Sequence, residues 1–223
     1  MFSSIESQEN PVAEYTFYTH PMSRGQIVRW ALHEANAQYE QVLVDWEDKP
    51  ARFLEANPMG KVPTIVHHHG EHDHVVTEAA AICHYLAEMN APDLLPREHE
   101  KADYFRWLIF AAGPLEQAVL TKVMGWNVPQ DRESTAGFGN YERTIDTLDA
   151  WFAERHFVCG DRFTMADVYV GSAVDWGLQF GSISERDAFR AYAGRCSARA
   201  AYQAGKAIDG KLIAEIQARE NQA

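Results

Sequence analysis

Two chemical features stand out in the sequence: a proline at the start of a strand-like run, and a glutamate at the start of a helix-like run. Pro63 precedes Thr64-Ile65-Val66. Proline has no amide hydrogen to donate, so it fits only the first residue of such a strand. A tight Val62–Pro63 corner, with a cis bond as one option, would leave the amide and carbonyl of Val62 unpaired. A peptide-like ligand can pair with such groups as an added strand would.

Glu78 and Ala79 begin a run of small helix formers sixteen residues after Val62. The first amides of a helix have no partners within it, and the helix dipole places partial positive charge there. Glu78 also has a plainer explanation, as an acidic residue favoured in a first helical turn. Taken with the Val62–Pro63 corner, the pattern predicts a pocket for a small, anionic, peptide-like molecule.

Alternating strand and helix patterns precede and follow this corner. Ser23-Arg24-Gly25-Gln26 matches a capping box, with Ser23 as N-cap and Gln26 at the third helical position. The helix containing Glu78 carries apolar residues at i, i+3, i+4 and i+7. We therefore predict strands at 15–19 and 39–45, a helix from Ser23, a short helix at 49–56, a hairpin of 64–68 with 74–76, and a helix from Glu78.

Prolines 92 and 96 mark a linker, and strand patterns are absent from the sequence beyond it. Apolar stripes at helical spacing run through residues 104–115 and 141–152, with a bend expected at Pro114. Helices are also predicted at 164–180 and 184–194, the first started by Thr164 with Asp167 reaching back to it. The predicted domains are therefore an α/β domain at 13–91, a linker at 92–97 and an all-helical domain at 98–216.

Composition excludes several classes of protein. The chain has 223 residues, 46% of them hydrophobic, which predicts a folded globular protein. Its net charge of −12 argues against nucleic-acid binding. Neither a membrane-spanning run nor a signal peptide is recognisable, so a cytoplasmic location is expected. The three cysteines follow no metal-ligand spacing and are interpreted as reduced core thiols.

The ordered set of motifs resembles the cytosolic glutathione transferase superfamily, in the style of its bacterial-type serine or cysteine classes. The resemblance covers about residues 13–215. Four segments carry it, namely 21–30, 57–65, 77–82 and 160–167. It implies a thioredoxin-like N-terminal domain that binds glutathione, an all-α helical-bundle C-terminal domain, a hydrophobic electrophile as second substrate, and a homodimer.

The same resemblance assigns roles to individual residues. Val62 would pair its backbone with the cysteinyl unit of glutathione beside a cis Pro63. Glu78 and the amide of Ala79 would hold the γ-glutamyl end, and Lys61 would lie near the glycyl carboxylate. Asp167 would cap a helix without taking part in catalysis. Phe110 and Trp176 are the candidates for the second-substrate pocket, with the helix-bundle core as the alternative for each.

Ser23 is the predicted catalytic residue, because a hydroxyl at a helix N-terminus can stabilise the glutathione thiolate. A plain N-cap is the alternative, and the two roles are compatible. Tyr18 is the second candidate donor, with a core aromatic as its alternative. The segment 20–23 stands where a thioredoxin would have its Cys-x-x-Cys, so dithiol chemistry is excluded.

Two departures from the family pattern bear on function. Ala79 lacks the hydroxyl that relatives use for the γ-glutamyl carboxylate, which predicts weakened glutathione binding. The histidine-rich segment 67–74 is predicted to be a solvated hairpin, and no metal is expected, although His67 and His69 share a face and a hairpin could set His74 opposite His69. The predicted function is conjugation of glutathione to hydrophobic electrophiles, with isomerisation, dehalogenation and peroxide reduction left open. The alternative is a non-catalytic ligand carrier or regulatory binding protein of the same fold.

Overall fold

The first half of the chain forms a four-stranded sheet covered by helices. The computed structural model describes residues 13–221. The elements of this half are β1 Tyr15–Thr19, α1 Gly25–Glu34, β2 Tyr39–Leu43, α2 Ala51–Ala56, β3 Thr64–His69, β4 His72–Thr77 and α3 Ala79–Asn90. The strand order is β2-β1-β3-β4. β1 runs parallel to β2 and antiparallel to β3, and β3 runs antiparallel to β4. The predicted order of elements is confirmed, with β2 ending two residues early.

The second half is helical. Its helices are α4 Lys101–Phe110, α5 Glu116–Met124, α6 Tyr141–Ala153, α7 Met165–Gln179, α8 Asp187–Ser197 and α9 Ala200–Glu220. Pro114 lies in a π-turn, Ala111–Leu115, that joins α4 to α5. The sequence did not predict α9, because its apolar residues do not gather into one stripe. Within residues 13–221, no helix is long and apolar enough to cross a membrane.

A continuous hydrophobic core joins the two halves. It contains buried residues of β1, α1 and α3 together with buried residues of α4, α6, α7 and α8. The most extensive helix contacts across the boundary are those of α1 with α9 and of α3 with α7. A smaller cluster of Tyr18, Val44, Phe53 and Val66 packs α2 onto the sheet. The sheet is thus a middle layer, with α2 on one face and α1 and α3 on the other.

The start of α7 is fixed by a buried carboxylate. Asp167 accepts hydrogen bonds from the Thr164 amide at 2.8 Å, the Thr164 hydroxyl at 3.0 Å, the Val158 amide at 2.7 Å and the Tyr192 hydroxyl at 3.0 Å. Burial raises the pKa of Asp167 to about 6, against the opposing effect of these hydrogen bonds. The predicted contact between Asp167 and Thr164 is confirmed, and it sets the position of the helix that carries Trp176.

Candidate active site

The register of the sheet brings three segments to one edge. Tyr18 pairs with Thr64 across β1 and β3, and Thr64 pairs with Thr77 across β3 and β4. β1 therefore ends, β3 begins and β4 ends at the same edge of the sheet. The segments that leave this edge carry Ser23, Val62 and Glu78.

The Val62–Pro63 peptide bond is cis. The buried Asn57 side chain closes the loop before it, donating to the Lys61 carbonyl at 2.9 Å and to the Thr64 hydroxyl at 3.0 Å. Among the described residues, no backbone hydrogen bond reaches the amide or carbonyl of Val62. The corner therefore offers one donor and one acceptor to a ligand with an extended backbone.

Glu78 has a left-handed backbone, with φ 64° and ψ 115°. A residue with a side chain is strained there by roughly 1–3 kcal/mol, and such strain is concentrated at ligand-binding positions. α3 begins at the next residue, Ala79, so the carboxylate of Glu78 and the first free amides of α3 lie side by side. The Glu78 side chain is exposed at this edge.

Ser23 lies in the turn between β1 and α1, residues 20–24, which we call the active-site turn. Its hydroxyl donates to the His20 carbonyl at 2.6 Å and accepts from the Gly25 amide at 3.0 Å. α1 begins at Gly25, so Arg24 is the N-cap and the predicted capping box is wrong. Ser23 lies one residue too early to cap the helix, and its hydroxyl closes a local serine turn instead.

The active-site turn packs directly onto the end of β1. A Cβ atom on Gly25 would lie 2.0 Å from the Thr19 hydroxyl oxygen, so only glycine fits at this position. Thr19 is buried, and within residues 13–221 its hydroxyl has no hydrogen-bond partner. This contact fixes the backbone from which Ser23 projects.

Tyr18 lies in the small cluster beneath α2. Its ring is 5.3 Å from that of Phe53, between centroids, and its side chain is buried. Phe17 belongs to the main core on the opposite face, as strand alternation requires. Tyr18 therefore lies where a core aromatic would, which was the alternative to a catalytic role. Its role as a hydroxyl donor stays a prediction.

A cavity of about 410 Å³ lies between α1, the α4–α5 turn and α7. Its walls are mainly apolar and include Ile27, Leu115, Val119, Ala173 and Trp176. Trp176 thus lies in the wall of a cavity, and its role in a second-substrate pocket stays a prediction. Phe110 is not among the lining residues, and it packs against Trp107 with ring centroids 5.0 Å apart.

Four polar residues that line this cavity were not predicted, namely Arg24, Glu116, Tyr169 and Ser182. Arg24 and Glu116 both line it and form a salt bridge with each other. Burial raises the pKa of Tyr169 to about 12, so its hydroxyl keeps its proton at neutral pH. Arg24 follows Ser23 directly, so its sequence position was a usable signal, whereas nothing local distinguishes Glu116 or Tyr169.

The histidine-rich hairpin differs from the prediction in register. His74 lies opposite His67, and His69 lies opposite His72. His67 faces inward, stacked on Tyr15 with ring centroids 4.4 Å apart, and burial lowers its pKa. In the part of the chain that the structure describes, no group of three potential ligand side chains is arranged to hold a metal ion.

The cysteines lie apart from this site. Cys83 and Cys196 are buried, Cys159 is partly buried, and all three are free thiols. Burial raises the pKa of Cys159 to about 12, so that thiol is neutral and unreactive at physiological pH.

Comparison with known proteins agrees with this geometry. Residues 13–88 match the family model of the glutathione S-transferase N-terminal domain, and residues 115–199 match that of the C-terminal domain. The chain belongs to the cytosolic glutathione transferase superfamily. The predicted family is therefore confirmed, together with the thioredoxin-like fold, the helical second domain and the assignment to the glutathione transferases.

Individual relatives are similar at modest identity. Glutathione S-transferase 2 of Schizosaccharomyces pombe is 28% identical over 188 residues, which cover 77% of this chain and 78% of that protein. The glutathione transferase of Methylococcus capsulatus has a TM-score of 0.71 at 26% identity, covering 88% of this chain and 98% of its own. A sphingomonad glutathione S-transferase complexed with glutathione has a TM-score of 0.69 at 28% identity, covering 87% of this chain and 98% of its own. The domain limits 13–91, 92–97 and 98–216 stay a prediction.

Proposed function

We propose that this transferase binds glutathione, stabilises its thiolate and adds that thiolate to a hydrophobic electrophile. The observation that supports this most directly is the sheet edge where the unpaired Val62 backbone, Glu78 and the active-site turn meet. Arg24, the residue after Ser23, also lines the apolar cavity, which supports a hydrophobic second substrate beside the thiolate. A related sphingomonad enzyme was solved with glutathione bound.

Glutathione would be held by groups of both charges. The amide and carbonyl of Val62 pair with its cysteinyl unit, Glu78 binds the γ-glutamyl ammonium, and the Ala79 amide binds the adjoining carboxylate. Lys61 is exposed beside the corner and supplies a positive charge for the glycyl carboxylate. Local cations matter here, because a chain with a net charge of −12 does not attract an anionic tripeptide through its overall field.

Ser23 would stabilise the thiolate by turning its hydroxyl from the His20 carbonyl towards sulfur. The exchange is favourable, because a neutral hydrogen bond contributes about 1 kcal/mol and one to a charged group about 1.5–3 kcal/mol. The Gly25 amide can continue to donate to the same oxygen, and the nearby N-terminus of α1 adds its dipole. The thiolate then forms a C–S bond, displacing a leaving group or producing a carbanion that takes a proton from solvent.

The test is a pH titration of enzyme-bound glutathione, followed by thiolate ultraviolet absorbance. Free cysteine thiols ionise near pH 8.5, and we expect bound glutathione to ionise lower. Ser23→Ala should raise the bound thiol's pKa by roughly one to two units, the equivalent of one hydrogen bond to a charge. Ser197→Ala is the matched control, since that hydroxyl also donates to a carbonyl three residues earlier, at 3.3 Å. An unchanged thiol pKa in Ser23→Ala would reject Ser23 as the donor.

A non-catalytic carrier or regulatory protein is the second candidate. Two observations favour it: Ala79 has no hydroxyl for the γ-glutamyl carboxylate, and the Ser23 proton is directed at His20. Binding of glutathione without ionisation would support this role. Isomerisation, dehalogenation and peroxide reduction would use the same thiolate, and steady-state assays with one substrate of each type distinguish them.

We also propose a cytoplasmic homodimer. Large apolar side chains are exposed on α4 and before the Val62–Pro63 corner, with Ile109 62% exposed, Phe105 45% and Met59 76%. A self-association surface would cover such residues. Sedimentation equilibrium of the protein and of Ile109→Lys tests this, since we expect a dimer that the substitution weakens.

A further inference from the structure

The active-site turn is attached to α1 through a side chain. The Pro21 carbonyl accepts a hydrogen bond from the Gln26 side-chain nitrogen at 2.5 Å. Gln26 is the second residue of α1, and its backbone amide donates to the Ser23 carbonyl at 3.2 Å. One residue therefore holds the turn at two points, on either side of Met22. The Ser23 hydroxyl is positioned by this same short loop.

Lys206 of α9 contacts the oxygen of the same Gln26 side-chain amide. Its ammonium donates to the Gln26 side-chain oxygen at 2.9 Å. It lies near the rings of Trp176, at 5.7 Å, and Tyr202, at 5.4 Å. Lys206 is half-buried, and the carboxylates of Asp175 and Asp209 also act on its charge at longer range than the Gln26 amide.

The chemistry of these groups fixes which way the amide points. An ammonium can only donate hydrogen bonds, and a backbone carbonyl can only accept them. With Lys206 in place, the Gln26 oxygen must face the ammonium and its nitrogen must face Pro21. A flipped amide would set two oxygens against each other at Pro21, so the Pro21 carbonyl and the Lys206 ammonium favour the same orientation. The ammonium adds a second contact that ties the Gln26 side chain to α9.

α9 is well placed to act on the turn, because it packs closely on α1. The buried Arg29 and Asp209 side chains form an ion pair at 2.9 Å between the two helices. Gly205, beside Lys206, brings α9 close to the backbone of Trp30, whose amide nitrogen would lie 3.6 Å from a Cβ added to that glycine. Lys206 therefore contacts Gln26 from a helix, α9, that is packed firmly against α1.

We propose that Lys206 and Gln26 are positioning residues that hold the active-site turn, and with it Ser23, in place for thiolate formation. The inference rests on the proposed function for its kinetic consequence. Its structural consequence, a turn fixed by α9, is independent of glutathione. Neither residue is expected to touch the reacting sulfur.

Three variants test the proposal. Lys206→Met removes the ammonium and keeps an unbranched chain. Gln26→Glu keeps a partner for Lys206 but cannot donate to the Pro21 carbonyl. Lys211→Met is the matched control, because Lys211 is on the same helix, its side chain is 80% exposed, and its ammonium lies 3.9 Å from the Glu215 carboxylate. Thermal unfolding of all three verifies that each is folded.

Hydrogen exchange of the peptide spanning 19–27 is the first measurement, made on the protein without glutathione. We expect faster exchange in Lys206→Met and Gln26→Glu, and unchanged exchange in Lys211→Met. Unaltered exchange in the first two variants would overturn the proposal, whether or not glutathione is a substrate.

The second measurement is the pH profile of turnover at saturating glutathione. Both variants should lower kcat roughly tenfold to a hundredfold and raise the pKa of the bound thiol, with a small change in KM for glutathione. If the wild-type protein ionises glutathione and both variants retain its profile, positioning is rejected. If the wild-type protein does not ionise glutathione, the proposed function fails, and the exchange experiment alone decides the proposal.

Discussion

The carboxylate of Asp167 allows a prediction whose size can be worked out from its contacts. It accepts two hydrogen bonds from backbone amides, those of Val158 and Thr164, in a site without solvent exposure. Asp167→Ala leaves both amides unpaired, at about 1–3 kcal/mol each. The free energy of unfolding should fall by ~3–5 kcal/mol, and the Tm by roughly 10 °C for a chain of this length.

Two further variants calibrate that figure. Tyr192→Phe removes one of the four hydrogen bonds to the ionised carboxylate and keeps the ring stacked on Phe152, so it should cost about 1.5–3 kcal/mol. Asp161→Ala is the control, since its side chain is 93% exposed and its loss should cost at most about 0.5 kcal/mol. Urea unfolding at pH 7 measures all three. A loss below about 1 kcal/mol in Asp167→Ala, or an equal loss in Tyr192→Phe, would refute the reasoning.

The same carboxylate predicts a pH dependence. Burial raises its pKa from 3.8 to about 6, so between those values the native state keeps a proton that the unfolded state has lost. The stability of the wild-type protein should therefore fall as pH rises through this window, by about 3 kcal/mol relative to Asp167→Asn, which does not titrate. Unfolding curves of the two proteins at pH 4, 5, 6 and 7 measure this difference. A constant difference would contradict the raised pKa.

The remaining predictions concern the sheet edge. Gly25→Ala should cost more than about 3 kcal/mol through its contact with the Thr19 hydroxyl, and Thr19→Ala in the same chain should recover most of that loss in a double-mutant unfolding cycle. Additive losses would contradict the contact. Glu78→Gly should leave stability unchanged or raise it by about 1 kcal/mol while weakening glutathione binding in calorimetry, and Glu78→Gln should weaken binding without the gain. Ala79→Ser should tighten glutathione binding about tenfold or more, with Ala80→Ser as the control. Equal affinities in those two variants would show that the missing hydroxyl does not limit binding.

The sequence predicted those parts of the site that depend on local backbone chemistry. Pro63 has no amide hydrogen and could not lie inside β3, and it directly precedes the first residue of that strand, Thr64, at the cis Val62–Pro63 corner. Asp167 lies three residues after Thr164, a spacing that determines their contact within one helical turn. Ser23 shows the limit of such rules. It was predicted to be the N-cap of α1, but α1 begins one residue later than expected, so the Ser23 hydroxyl closes a serine turn instead.

Contacts between distant segments were beyond prediction. Phe110 and Trp176 occupy similar apolar stripes, and only the packing of α4 against α7 decides which of them reaches the cavity. α9 carries no clear apolar stripe, since it is packed by the small residue Gly205 and by an ion pair instead. The contact of Lys206 with Gln26 joins residues 180 positions apart, and no local pattern indicates it.

The hydrophobic core that passes from β1 to α8 has a consequence for folding. Buried side chains of the α/β half, such as Trp30, pack against side chains of the helical half, such as Phe163 and Tyr202. The two halves therefore share one cooperative unit, and calorimetry should record a single melting transition. An isolated fragment of residues 13–91 would expose the α1 face and lose its fold. A substitution in the helical half, at Phe163 or Tyr202 for example, therefore also acts, through this shared unit, on the stability of the α/β half.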